Sequence, residues 1–337
     1  MMIKTKPINP YTKRLAHLPR GSQITRDISS AKVVFTWLFF SLDLLLWTGM
    51  IQTKRLSVSI VIPVYNEADS LASCLRAIAA QITNPLEVIV VDNNSTDDSA
   101  AIAKAFDFVK VIQEPKQGVV YARDCGFDSA QGDIIGRIDA DSLIAPDWVD
   151  TLQRLFVENE QLAAVTGRVR YHGIGLSRSI DVVDFWIRRR MARLLGREVA
   201  MQGANMAVRK LAWQSVKSQL CRVPGMHEDY DLAIHLAEKG ELINFDESLE
   251  AKIGFRQADQ TWRHFAVYAY LSPKTYALHR LKSRRHMYPI VALVIACYPI
   301  LKVLHRGYDE QVERFTLRKL MAEPTTPPRA NPALFVD

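Results

Sequence analysis

No two cysteines in this chain are spaced to pair or to share a metal: Cys74, Cys125, Cys221 and Cys297 stand scattered along 337 residues. A disulfide framework is thereby excluded and a reducing compartment implied. A glycine-rich phosphate loop is also missing, which argues against the nucleotidyl-transfer chemistry that relies on one. The amino terminus lacks a secretory pattern, because its polar stretch of 32 residues is too long for a signal and no small-residue cleavage site follows the apolar run behind it.

Charge of one sign is unevenly supplied. The formal net charge is +7, yet residues 1–32 alone carry +6 and residues 256–320 carry +8. The remainder is therefore acidic, which speaks against nucleic acid as a partner and for basic extensions that meet an anionic membrane surface.

What is present is a set of acids at strand ends. Asp139-Ala140-Asp141 follows the largely apolar run 133–138. Two carboxylates two residues apart, just past a buried strand, can hold one hard divalent cation and through it a diphosphate. Upstream, residues 57–64 read as a strand that turns at Tyr65-Asn66-Glu67, with Pro63 barred from continuing a central ladder. Residues 86–91 read as a second strand running into Asp92, where Ser95 or Thr96 is placed to cap a helix beginning near Asp97. Successive strand-to-helix turns that each carry a carboxylate are what a doubly wound α/β sheet uses to build a ligand crevice on one edge.

Six segments taken together resemble the family 2 glycosyltransferases: Ile62–Glu67, Val90–Asp97, Gly118–Gly126, Asp139–Asp141, Gln202–Arg209 and Glu228–Leu232. They cover residues 57 to about 245 in the family's order. The resemblance implies the GT-A fold, a Rossmann-like, mostly parallel central sheet flanked by helices, and inverting transfer from a nucleotide-sugar donor, most commonly UDP-linked. It makes Asp141 the main direct ligand of Mg or Mn, with Asp139 nearer the ribose and reaching the metal directly or through water. It places Pro63, Tyr65, Glu67 and Asp92 around base and ribose, with Arg123 there or at the phosphates. Gly203, Asn205 and Glu228 would border donor sugar and acceptor, and Asp229 would be the general base. Read as plain residues, Glu67 and Asp97 equally suit helix N-termini, and an acid pair such as Glu228-Asp229 is a common helix cap. The third segment departs from the family's Ala-Arg-Asn in having Asp124. Gln257 and Trp262 are remnants of the Gln-x-x-Arg-Trp motif of processive members, and the mismatch favours addition of a single sugar.

The resulting division is a basic amino-terminal segment with an apolar membrane-associated helix (1–54), a catalytic domain (55–255), a basic helical region with a second apolar segment (256–320) and a disordered tail (321–337). The run 33–50 is nearly long enough to span a bilayer but holds Asp43, and the run 287–301 is short and holds Pro289 and Pro299. A single span at 33–50 with the basic terminus inside would put the catalytic core outside, away from nucleotide sugars. Both runs are therefore expected to dip into the cytoplasmic leaflet or pack as a hairpin, with buried core helices the alternative. Residues 180–195 have helical spacing with several arginines and suit either a lipid-acceptor cradle or a helix on the sheet. The acceptor is expected to be a lipid-linked or envelope glycan at the cytoplasmic face of the inner membrane. A polyprenyl phosphate acceptor and a non-catalytic nucleotide-binding scaffold are the competing readings.

Overall fold

A computed structural model describes residues 55–172, 174, 177–195, 201–254, 260–309, 312 and 314–321. The run 33–50, Gln257 and the tail from 322 lie outside the described residues.

Four strands make the parallel half of an eight-stranded sheet: β1 (Val58–Val64), β2 (Glu87–Asp92), β3 (Val109–Gln113) and β4 (Ile134–Arg137), in the order β3-β2-β1-β4. The runs of β1, β2 and β4 are buried almost throughout because both faces are covered, whereas β3, at the sheet edge, exposes Lys110 and Gln113. Alternate side chains go to opposite faces. Ile60 and Ile62 join one core with Leu71 and Leu75 of α1 (Ala68–Ala79), whereas Val61 joins a second with Ile89 and Val91. The connections to and from β3 are α2 (Ser99–Lys104) and α3 (Val119–Ser129). Pro63 costs no rung toward β4, since the β1–β4 ladder ends at Val61–Arg137.

The other half is mixed rather than parallel. After the short β5 (Leu143–Ile144) and α4 (Trp148–Glu158) come β6 (Leu162–His172), α5 (Ser177–Leu195), β7 (Met206–Arg209), α6 (Lys210–Val216), α7 (Glu228–Glu238) and β8 (Leu242–Gly254). The sheet continues β4-β7-β6-β8-β5, with β7 antiparallel to both neighbours and β6 parallel to β8. Trp148 and Phe156 of α4 complete the first core; Trp213 of α6 and Leu232 and Leu236 of α7 complete the second.

Beyond the sheet, α8 (Trp262–Leu278) leads through a 3₁₀ turn (Lys282–His286) to α9 (Met287–Arg306), then to the hairpin β9 (Tyr308–Asp309) and β10 (Arg314–Phe315) and to α10 (Leu317–Met321). The apolar run that looked short and proline-interrupted is thus part of a helix of 20 residues. Pro289 sits in its first turn, where an amide N–H has no helical partner to lose, and only Pro299 is interior. At 1.5 Å per residue the helix is about 30 Å long. Together with the 3₁₀ turn before it, as the segment Lys282–Arg306, it is among the described residues the one helical stretch long and apolar enough to cross a membrane, with mean hydropathy 2.0 over an apolar window. Only Met287 and Tyr298 are buried. Phe265 stacks on Tyr298 at 4.1 Å, and Trp262 donates through Nε1 to the Ile295 carbonyl at 3.2 Å, so α8 and α9 pair through one seam and leave the rest of α9 outward.

Candidate active site

The loops after β1, β2 and β3 are braced against one another. Asn66 and Asn94 take positive φ (54° and 63°), which asparagine tolerates. Asn66 Oδ1 accepts from the Thr96 amide at 2.7 Å, and the Asn66 amide donates to Ser95 Oγ at 3.1 Å. Ser95 therefore serves the neighbouring loop rather than capping a helix, and α2 begins only at Ser99. Asn93 Nδ2 donates to the Glu114 and Lys116 carbonyls, and Asn93 Oδ1 accepts from Gly118, whose φ of 137° suits only glycine.

Asp92 lies inside this bracing, 4% exposed. Its Oδ1 accepts from the Ser95 amide at 3.0 Å and its Oδ2 from Gln113 Nε2 at 2.8 Å. Glu67 precedes α1 and accepts from Ser70 Oγ, while Asp97 Oδ2 accepts from the Ala68 amide, as helix-terminal acids would. Pro63 and Tyr65 are half-buried on the same edge.

The Asp-x-Asp turn follows β4. The Ser142 amide donates to the Asp139 carbonyl, Ser142 Oγ accepts from the Asp139 amide at 3.2 Å, and the same hydroxyl donates to the Ala204 carbonyl at 3.0 Å. The turn is thereby tied to the segment before β7. The Asp139 side chain is 44% exposed and Asp141 is half-buried, so two hard oxygen donors stand on an open edge, a set that fits Mg or Mn.

Arg137 joins this turn to the acid pair 90 residues later. One guanidinium nitrogen, Nη2, lies 3.2 Å from Asp139 Oδ1, and the other, Nη1, lies 2.9 Å from Glu228 Oε1. Gly203 packs against the same guanidinium: a Cβ there would stand 1.6 Å from Nη1. The Gly203 amide in turn donates to Asp229 Oδ2 at 2.9 Å, and the Tyr230 amide donates to Asp229 Oδ1 at 2.9 Å. Burial alone would raise the Glu228 carboxyl, but Arg137 and then Arg123 hold it below its ordinary value. Burial first, and the adjacent Glu228 charge second, push Asp229 up to about 7, against the pull of Arg137 and the two amides. Two neighbouring carboxyls driven in opposite directions form the kind of pair in which one stays ionised and the other can exchange a proton near neutrality.

Two residues assigned from resemblance to ligand contact are placed elsewhere. Arg123 is fully buried; it pairs with Asp124 at 2.8 Å and donates through Nη1 to the Glu228 carbonyl at 2.7 Å, so it supports the start of α7 from beneath. Asn205 is also fully buried, accepting from Trp148 Nε1 and donating to the Arg168 and Leu249 carbonyls, each within 2.9 Å. Its hydrogen bonds hold the Gly203 loop across the sheet. Asp124, the departure from the family pattern, accepts from both Arg123 and Arg222 and links α3 to the segment before α7.

Residues of α8 that sequence reasoning missed also reach this region. The His227 and Tyr268 rings meet edge to face at 5.1 Å, and Asp229 is among the charges that push the Tyr268 hydroxyl well above the usual phenol range, after burial itself. His227, pushed down to about 4 by burial, is neutral. Its amide donates to Thr275 Oγ1 at 2.9 Å. Trp262, by contrast, packs on α9. Along α5, Val182, Val183 and Trp186 are exposed, while Arg188 pairs with Asp184 at 2.6 Å.

These features define a GT-A architecture, a mixed α/β sheet with an acid-bearing edge and flanking helices, and the comparisons agree. A mannosyltransferase from Pyrobaculum calidifontis, solved with GDP-Man and Mn2+, matches 80% of this chain and 83% of its own at TM-score 0.52 and 19% identity, a likeness of fold. Residues 59–214 match the family described as Glycosyl transferase family 2, which supports a family 2 glycosyltransferase. Among curated relatives, an uncharacterized glycosyltransferase of Escherichia coli is 31% identical over 115 residues, 33% of this chain and 33% of the relative. An undecaprenyl-phosphate 4-deoxy-4-formamido-L-arabinose transferase of Pseudomonas syringae is 40% identical over 122 residues, 34% of this chain and 35% of the relative. The chain thus aligns with about a third of the length of these two relatives.

Proposed function

We propose that this protein is an inverting glycosyltransferase that moves a sugar from a nucleotide-sugar donor, UDP-linked by the family's commonest choice, to a lipid-linked or envelope glycan, one residue at a time. The observation that carries the reading is the Arg137 bridge, which puts the Asp-x-Asp turn and the Glu228-Asp229 pair around one guanidinium.

Asp141 is the principal ligand for a divalent ion, because Arg137 already engages one oxygen of Asp139. The charge that develops on the leaving diphosphate is what a hard cation bound there neutralises. Base and ribose lie over the ends of β1 and β2, against Pro63, Tyr65, Glu67 and Asp92. Asp229, fixed by two amides, accepts the proton of the acceptor hydroxyl as its oxygen bonds to C1 of the sugar and the C1–diphosphate bond breaks on the opposite face. Glu228, kept ionised by Arg137, stays out of the proton transfer and sustains the basicity of its neighbour.

The exposed apolar side chains of α9, among them Leu293, Ile300 and Val303, together with the basic turn before it, suit attachment to an anionic membrane. A membrane-bound acceptor would then reach the site beside α8. The cytoplasmic face is the side where nucleotide sugars are available. A polyprenyl phosphate acceptor is the second reading, favoured by the 40% identity to a relative named for undecaprenyl phosphate. Such an acceptor is already anionic and needs no base.

The deciding experiment offers purified full-length protein a panel of nucleotide sugars and follows slow hydrolysis of the donor, with and without Mg or Mn. Hydrolysis of one donor that requires metal and is lost in Asp141→Ala supports the reading; near-normal turnover in chelator removes the metal from it. The anomeric coupling of the transferred sugar then reports inversion, and retention would refute a single displacement. An acceptor survey with polyprenyl phosphate and a hydroxyl-bearing lipid glycan separates the two acceptor classes.

A further inference from the structure

On the face of α7 turned away from Asp229, four potential ligand atoms converge from three places in the chain. Asp231 and His235, four residues apart, share one face of α7, whereas residues two apart, such as Asp229 and Asp231, do not. Cys221 comes from the segment between α6 and α7, and His279 follows the last residue of α8. Asp231 Oδ1 lies 2.8 Å from His279 Nε2 and 3.4 Å from His235 Nε2, and His235 Nε2 lies 3.9 Å from Cys221 Sγ. All four ligand atoms fall within 4.8 Å of one another. Tetrahedral zinc with bonds of about 2.0–2.3 Å sets neighbouring ligand atoms about 3.3–3.6 Å apart. These three contacts lie within about 0.5 Å of that spacing, and the widest separations, up to 4.8 Å, must close by about an ångström.

The surroundings also match. His235 places its other ring nitrogen, Nδ1, 3.2 Å from Glu238 Oε2, so a small rotation would set a carboxylate behind the histidine as metal-binding imidazoles have. Asp231 is fully buried and His235 and His279 nearly so. The Cys221 amide donates to Asp231 Oδ2 at 3.0 Å, leaving Oδ1 for the cluster.

We propose that Cys221, Asp231, His235 and His279 form a structural site for a borderline-soft divalent cation, zinc by the nature of its donors. One thiolate, two imidazoles and one carboxylate form a closed tetrahedral set with no position left for substrate. Bound there, the ion would fasten α8, whose Tyr268 approaches the Asp229 region, to the helix that opens with Glu228 and Asp229. The Asp-x-Asp turn is distinct in chemistry, offering only hard oxygens.

The test uses the full chain, stripped with a chelator and titrated with Co2+. A tetrahedral thiolate site gives intense visible ligand-field bands and a near-ultraviolet sulfur-to-cobalt band that saturates at one equivalent and is displaced by zinc. Cys221→Ser must lose the near-ultraviolet band, and Glu238→Gln should weaken cobalt affinity by about tenfold or more. Asp141→Ala must leave the spectrum unchanged, which separates this site from the proposed donor site. Because Cys221→Ser could fail to fold, the unaltered chain is also assayed for zinc content and for a rise in melting temperature on adding zinc. Absence of the sulfur band at saturating cobalt in the unaltered chain overturns the proposal in favour of a hydrogen-bonded His–Asp–His cluster. So does a band that persists in folded Cys221→Ser, which would place the thiolate at Cys74, Cys125 or Cys297.

Discussion

On the parallel side of the sheet the site's residues are held by loops that lie close together in the chain, whereas on the mixed side they are held by partners drawn from far along it. Asn66 meets Thr96, and Asn93 meets Glu114, Lys116 and Gly118, all within about 30 residues. Arg137 meets Glu228 across 91 residues, and Arg123 meets the Glu228 carbonyl across 105. The local side is braced by many separate hydrogen bonds from amides and carboxylates of the loops, with no buried cation among them. The distant side is organised by one buried cation between two acids. A frame of many small bonds degrades gradually when one is lost, while a buried ion pair that loses one member leaves an uncompensated charge. Substitutions on the two sides should therefore differ in size and in kind.

The largest effect is expected at Asp229. Asp229→Asn should lower the turnover number by about 10² to 10⁴, the usual contribution of a positioned base, while leaving nucleotide affinity intact. The sign of the accompanying pH dependence follows from the raised carboxyl. Below about 7 the group is protonated and cannot accept a proton, so kcat/KM should climb with pH and level off above that point. The rising limb should vanish in the variant. An active Asp229→Asn enzyme with inversion preserved would favour the phosphate acceptor.

Arg137→Met ranks next and tests the bridge itself. The guanidinium is 4% exposed and Glu228 9%, so its removal strands a buried carboxylate. A loss of about 3–5 kcal/mol in unfolding free energy is expected, read by denaturant titration. A loss under about 1 kcal/mol would show that Glu228 reaches water or a proton easily, and the contrast between the two sides would fail.

The parallel side should yield a smaller effect. Asp92→Ala is expected to weaken binding of the nucleoside diphosphate by about 1–3 kcal/mol, as for loss of a charged hydrogen bond, with turnover at saturating donor nearly kept. Isothermal titration decides it. Unchanged affinity would reduce Asp92 to what its two internal hydrogen bonds already make it, a brace for Ser95 and Gln113.

The same contrast explains what could be read from the residues alone. The strands, the Asp-x-Asp turn and the start of α7 were legible because they are local: an apolar run, then an acid, then a helix signal. Arg123 and Asn205 were matched by motif to ligand roles, yet burial turns both inward, and burial depends on which helices cover the sheet. Arg137 sat at the end of an apolar strand without a signal of its own; its partner Glu228 becomes one only once β4 and α7 are adjacent. Tyr268 and His279 lie in a region whose composition spoke only of basic charge. Cys221 showed no metal-like spacing because the nearest candidate partner, Asp231, is ten residues on and His279 is 58 on. Pro299 misled in the other direction, since a helix with an outward face tolerates one kinking residue where a short motif count expects a break.

The smallest expected effect concerns α9, which belongs to neither side of the sheet and tests whether the site is presented to a membrane. Ile300 is 64% exposed on a helix that meets α8 along one seam only. If that face enters the lipid surface, Ile300→Ser should cost about 1.5 kcal/mol of vesicle binding, roughly tenfold in partitioning, from the apolar area no longer buried. The substitution lies outside the sheet and its ligand edge, so hydrolysis of the donor in solution should be unaltered while transfer to a lipid-borne acceptor falls in step with binding. Raising the salt separates the two attractions: the basic turn at Lys282–His286 acts through charges screened within about 8 Å at physiological ionic strength, whereas the apolar contribution persists. Partitioning of Ile300→Ser equal to that of the unaltered chain at every salt concentration would mean that this face of α9 covers protein instead, and the acceptor would then have to approach the Asp229 region without help from the membrane.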